Sequence, residues 1–161
     1  MDSKARSTAR SLTQRRSATG EAQLVKRFLL DTDACIYLIN RRPRYEVILK
    51  HVEGKSYGDV VVSSITFAEL MYGFAKSRFQ KQNQRAARLF FAHFPILPFD
   101  QAAAEAYGQI RARLEVRGSP IGPLDTLIAA HAVSVGAVIV TNNTKEFSRV
   151  ENLAAENWSK G

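Results

Sequence analysis

The chain has 161 residues, 45% of them hydrophobic, and a formal net charge of +8, which suits one soluble domain with enough apolar residues to build a core. No apolar run approaches the roughly 20 residues that span a bilayer, the basic N-terminus lacks the apolar stretch of a secretory signal, and the lone Cys35 excludes an internal disulfide. A cytoplasmic protein is expected.

Residues 1–24 form a basic arm rich in Ser, Thr, Ala and Arg without sustained apolar periodicity. It reads either as a solvated arm able to bind nucleic acid by counterion release or as an over-long gene start, with order beginning at Leu24 or Val25. Residues 25–161 are read as one domain. "LVKRFLL" reads as a strand, Thr32 to Asn40 as a helix, and a second helix runs from Arg44 to Val52 after Pro43. "DVVVSS" is a buried strand that leads into a helix from Ile65 to Ser77. Gln80 to Phe94 reads as helical, with Ala87, Leu89, Phe90 and Phe91 on its apolar side. "PILPF" is a strand, Asp100 to Arg117 a helix ending at Gly118, Leu124 to Val135 a helix closed by Gly136, and Ala137 to Thr141 the last strand. Four apolar strands separated by helices predict an α/β fold, a central mostly parallel sheet with helices on both faces. Ligands of such sheets bind outside the carboxyl ends of the strands.

The acids at those ends each admit a structural reading. Asp31 or Asp33 could cap the first helix. Thr66 and Glu69 have the spacing of a capping box. Pro123 and Asp125 suit the first turn of a helix. Asn142 and Asn143 are turn formers, and Glu146 could be a surface residue. Taken together, they bring carboxylates and amides to one edge of one sheet, where like charges repel unless a cation lies among them. An oxygen-only set suits Mg²⁺ or Mn²⁺ rather than zinc. Asp31 is therefore expected to be a metal ligand and Asp33 a cap or a supporting group.

"FLLDTDACIYLI", "SSITFAELMYG", "GPLDTLIAAHA" and "VIVTNNTKEF", in this order, resemble the PIN-domain ribonucleases of VapC-type toxins from bacterial toxin–antitoxin pairs. The resemblance runs from residue 26 to Trp158. It implies a PIN-like three-layer fold and a Mg²⁺-dependent endoribonuclease whose catalytic and metal-binding residues are Asp31, Glu69 and Asp125. Thr141 and Asn143 would fix ligand geometry. Many family members have Asp at the position of Asn143, so the fourth ligand is open here, with Glu146 the nearest replacement. The implied substrate is a structured RNA, tRNA being the usual kind, cut in a single-stranded loop. The implied partners are a VapB-like antitoxin and a second copy of the chain, with Tyr72, Phe74, Phe90 and Phe91 available for an interface. Arg41, Arg42 and Arg44, with Lys76, Arg78, Lys81, Arg85 and Arg88, are candidates to track RNA phosphates.

Three rivals stand beside this reading. A haloacid-dehalogenase-type phosphohydrolase shares the D-x-D after an apolar strand but needs a later acidic pair for which little chain remains. A receiver-like domain lacks a convincing phospho-acceptor. A catalytically silent RNA-binding PIN module is kept open by Asn143. His131 is read as a packed or hydrogen-bonded histidine rather than a base.

Overall fold

Alternation along three short strands builds the molecule. In the computed structural model, which describes residues 25–160, Leu29, Val61 and Ile139 enter one core while Phe28, Leu30, Val60, Val62, Val138 and Val140 enter another. The basic arm lies outside the described residues. The strands are β1 (Phe28–Leu30), β2 (Val60–Ser63), β3 (Ile96–Leu97), β4 (Val138–Val140) and β5 (Ala155–Glu156). They form one sheet in the order β3-β2-β1-β4-β5, every pairing parallel.

The helices are α1 (Thr32–Ile39), α2 (Tyr45–Val52), α3 (Ser64–Lys76), α4 (Gln80–Phe91), α5 (Gln101–Val116), α6 (Pro123–Ser134) and the single turn α7 (Thr144–Phe147). One face of the sheet packs on Ala34, Cys35 and Leu38 of α1, Ile48 of α2, Leu70 of α3 and Phe90 of α4, with Trp158 closing the layer. The other packs on Ile110 and Leu114 of α5, Ile128 and its neighbours in α6, and Phe147 of α7. The expected three-layer α/β architecture is thus present, with both faces covered, which is why the strands read as unbroken apolar runs. Among the described residues no helix is long and apolar enough to cross a membrane.

Several boundaries differ from expectation. The first strand begins at Phe28, where the pairings with Val60 and Val138 begin, and Lys26 before it turns outward to Glu156 at 2.9 Å. The helix expected to reach Phe94 stops at Phe91, and Leu89, expected on its apolar side, is 64% exposed while Phe94 folds back into the core. The fifth strand was not foreseen: two residues carry no period, and only pairing with Ile139 and Val140 makes them a strand. The helix ends at Gly118 and Gly136 agree, each glycine at φ +63°, a left-handed backbone that suits glycine after a helix.

The topology places the site. From β1 the chain moves to β2 and β3 on one side, then returns to β4 on the other, so a crevice opens between the carboxyl ends of β1 and β4. Helices that precede parallel strands run against them, which brings the start of α6 to the same end.

Candidate active site

Asp31 follows the last residue of β1. Its backbone N–H donates to the Val140 carbonyl at 3.0 Å, and its Oδ1 accepts from the Ala34 N–H at 2.8 Å. Asp31 is therefore the N-cap of α1, and the role anticipated for Asp33 as a cap is corrected. The residue is only 5% exposed. Burial pushes its carboxyl up to about 7, with the Asp33 and Asp125 charges adding, and hydrogen bonds from the Thr141 hydroxyl and the Ala34 N–H pulling the other way. Asp33 lies in the first turn, where its Oδ2 accepts from the Asn142 amide at 2.7 Å and its Oδ1 faces Arg42 at 3.5 Å. The Ser159 hydroxyl donates to Asn142 Oδ1 at 2.9 Å, which leaves the Asn142 nitrogen facing Asp33.

Glu69 is not half of a capping box. Ser63 caps α3, its Oγ accepting from the Ile65 N–H at 3.1 Å, while Glu69 accepts from the Thr32 hydroxyl at 2.8 Å. This bond ties α3 to α1 one residue from Asp31. Thr66 is wholly buried, and its hydroxyl has no partner among the described residues.

Asp125 stands in the first turn of α6 with Pro123 at the first helical position, as the sequence predicts, and Gly122 is the N-cap. It is half-buried. Burial raises its carboxyl above the usual range, and the Glu146 and Glu69 charges raise it further. A Cβ on Gly122 would stand 3.1 Å from Asp125 Oδ2, so the glycine leaves room for that carboxylate.

Beyond β4, Thr141 is buried and its Oγ1 accepts from the Asn143 N–H at 2.9 Å. The Asn143 side-chain amide donates to Glu146, and the other Glu146 oxygen accepts from the Gly122 N–H at 3.0 Å. Asp31, Thr32, Asp33, Asp125, Asn142 and Asn143 line an open depression of about 470 Å³. Glu69 and Glu146 stand at its margin, close enough for both charges to act on Asp125. Among the described residues none of Asp31, Glu69, Asp125 and Glu146 pairs with a lysine or arginine. Nor do three such side chains stand close enough to grip a metal ion as they are placed. Glu69 is drawn to Thr32 and Glu146 to Gly122.

The PIN domain family profile matches residues 28–153, the span that carries all four acids. The chain belongs to the VapC family of PIN-domain ribonucleases. It is 42% identical over 133 residues to the tRNA(fMet)-specific endonuclease VapC of Shigella flexneri, covering 83% of this chain and 98% of that one. It is 40% identical over 138 residues to the ribonuclease VapC2 of Rickettsia felis, again with 83% and 98% covered. Among solved structures, DNA-bound VapBC from Salmonella typhimurium matches with a TM-score of 0.77 at 40% identity, covering 83% of this chain and 98% of that chain. Membership of the VapC family sets aside the phosphohydrolase and receiver-like alternatives.

The other candidates divide. His131 is buried as expected, with Nδ1 2.8 Å from Ser63 Oγ and the Phe99 ring edge-on at 5.6 Å, so it cross-links β2 to α6 outside the VapC depression. Burial lowers its basicity. Arg42 reaches the depression through Asp33 and lies over the Tyr37 ring at 5.3 Å. Arg41 and Arg44 are exposed, with backbone φ of 46° and 74°. Lys76, Arg78, Lys81, Arg85 and Arg88 are exposed on α3, α4 and the turn between them. Sequence reasoning missed Thr32, whose only signal was its place between two acids, and Gly122, whose signal was a glycine three residues before Asp125.

Proposed function

We propose that this ribonuclease is a divalent-metal-dependent endoribonuclease, the toxin of a toxin–antitoxin pair, which cuts tRNA in a single-stranded loop in the cytoplasm. The observation that carries the reading is the gathering of Asp31, Glu69, Asp125 and Glu146 around one depression, none of them paired with a lysine or arginine among the described residues. Such a site favours a cation. Its donors are all oxygens, the chemistry of Mg²⁺ or Mn²⁺, and the glycine at 122 leaves the Asp125 carboxylate the space to stand among them. Asp31, Glu69 and Asp125 would hold the ion, which when bound supplies an acidified water and neutralises charge on the scissile phosphate.

The chain's own residues do the positioning. Thr32 fixes the Glu69 carboxylate, the Ala34 N–H occupies one oxygen of Asp31, and Thr141 anchors the turn that carries Asn143. Arg42, at the mouth of the depression, with Arg41 and Arg44, supplies positive charge for RNA phosphates. A tRNA substrate is supported by the name of the Shigella flexneri relative. An antitoxin partner is supported by the solved VapBC relatives, and the 65% exposed Tyr72 is available for a second copy.

The test is cleavage of total bacterial RNA by purified protein, with Mg²⁺, with EDTA, and as Asp125→Asn. Discrete new ends that vanish in both controls support the reading and name the RNA. Intact RNA in every lane, from folded protein free of antitoxin, overturns it in favour of a silent RNA-binding module.

A further inference from the structure

We infer that Glu146 is a positioning residue rather than a metal ligand, and that the amide at Asn143 is what allows it to act. The pair latches the start of α6, and with it Asp125, to the turn after β4. The inference rests on the ribonuclease reading above.

Both oxygens of Glu146 are already engaged. One accepts from the Gly122 N–H at 3.0 Å and the other from the Asn143 amide. Gly122 is the N-cap of α6 and Asp125 is its third helical residue. In a capping box that third residue reaches back to the N–H of the cap. Here Glu146 takes the donor instead, although Asp125 Oδ2 lies close enough to meet a Cβ on Gly122 at 3.1 Å. Occupying the Gly122 N–H from outside the helix leaves the Asp125 carboxylate free to face the depression.

The Asn143 side chain makes this possible because a carboxylate only accepts hydrogen bonds, whereas an amide nitrogen donates. An aspartate at 143 would set two carboxylates against each other and drive Glu146 off the Gly122 N–H. The latch is anchored at its far end, since the Asn143 N–H donates to Oγ1 of the buried Thr141 at 2.9 Å. Hydrogen bonds therefore run from Thr141, the first residue beyond β4, to the helix that carries Asp125. The loop itself is held independently, because Arg149 donates to the Pro120 carbonyl at 3.0 Å, so breaking the latch leaves the fold in place.

The experiment compares the unaltered protein with Asn143→Asp and with the double variant N143D/E146Q. Two quantities are measured: hydrogen exchange of the Gly122 amide in metal-free protein by NMR, and kcat and KM for RNA cleavage with Mg²⁺. In N143D the Gly122 amide should exchange about tenfold faster and kcat fall about tenfold at unchanged KM, the loss of one charge-assisted hydrogen bond. In the double variant the introduced amide donates to the introduced carboxylate while its carbonyl accepts from Gly122, so both quantities should return to within about threefold. A kcat that rises in N143D, or a lower Mg²⁺ requirement, would show that position 143 or 146 ligates the metal and overturn the inference. So would an unchanged Gly122 amide in N143D, or activity restored in the double variant without the amide, since net charge alone would then be at work. RNA left intact by the unaltered protein defeats the ribonuclease reading, while the Gly122 amide still decides the latch.

Discussion

Replacing Asp31 with asparagine separates its two roles. Asparagine caps a helix about as well as aspartate and keeps an oxygen for the Ala34 N–H, which now lies at 2.8 Å. What it removes is a buried charge. The metal-free protein holds this carboxyl at about 7 against an ordinary 3.8, so folding favours its protonated form. Its stabilising contribution is fully present below pH 3.8 and is lost as pH rises through about 7. At 1.36 kcal/mol per pH unit the loss above pH 7 is at most about 4 kcal/mol, because entering water and side-chain relaxation return part of it. Metal-free Asp31→Asn should therefore match the unaltered protein near pH 4 and exceed its stability at pH 8 by about 2–4 kcal/mol. Urea unfolding followed by the fluorescence of Trp158, the single tryptophan and 2% exposed, reads this directly. Mg²⁺ at a hundredfold over its Kd should add about 2.7 kcal/mol to the unaltered protein and far less to the variant. A variant less stable than the unaltered protein at pH 8 without metal would refute the account of Asp31 as an uncompensated buried charge.

Thr66→Val removes a buried hydroxyl that has no partner among the described residues; a gain of about 1 kcal/mol is expected in thermal or urea unfolding. Ser63→Ala strips both the cap of α3 and the hydrogen-bond partner of His131, and should cost about 2 kcal/mol by the same measurement. Because burial lowers the pKa of His131, its neutral form stabilises the fold above its ordinary 6.5, and that contribution should fade as urea midpoints are taken to lower pH. Gly122→Ala sets a methyl 3.1 Å from Asp125 Oδ2 at an unstrained backbone. RNA cleavage should fall about tenfold with melting temperature nearly unchanged, the signature of a displaced carboxylate rather than a loosened fold.

The sequence by itself determined the layered sheet, because strands buried on both faces must be apolar throughout, and "VVVS", "FLL" and "VIV" announce themselves as such. It determined the edge at which the acids gather, since Asp31 follows a strand directly and Asp125 follows Pro123 at a helix start. Helix ends at Gly118 and Gly136 were legible for a local reason, the left-handed backbone that each adopts. The tertiary structure alone decided which excuse each acid was using. Local spacing allowed Thr66 and Glu69 to form a capping box, yet the Glu69 carboxylate goes to Thr32, 37 residues away. Glu146 looked like a surface residue or a spare ligand, and it is engaged by Gly122, 24 residues earlier. The two-residue strand β5 and the Ser159–Asn142–Asp33 chain were equally hidden. Periodicity and caps arise from contacts within one turn or one pleat and so leave a trace in neighbouring residues. A side chain's choice between two acceptable partners depends on which distant element packs beside it, and that is settled only when the sheet order brings the carboxyl ends of β1, β2 and β4 together.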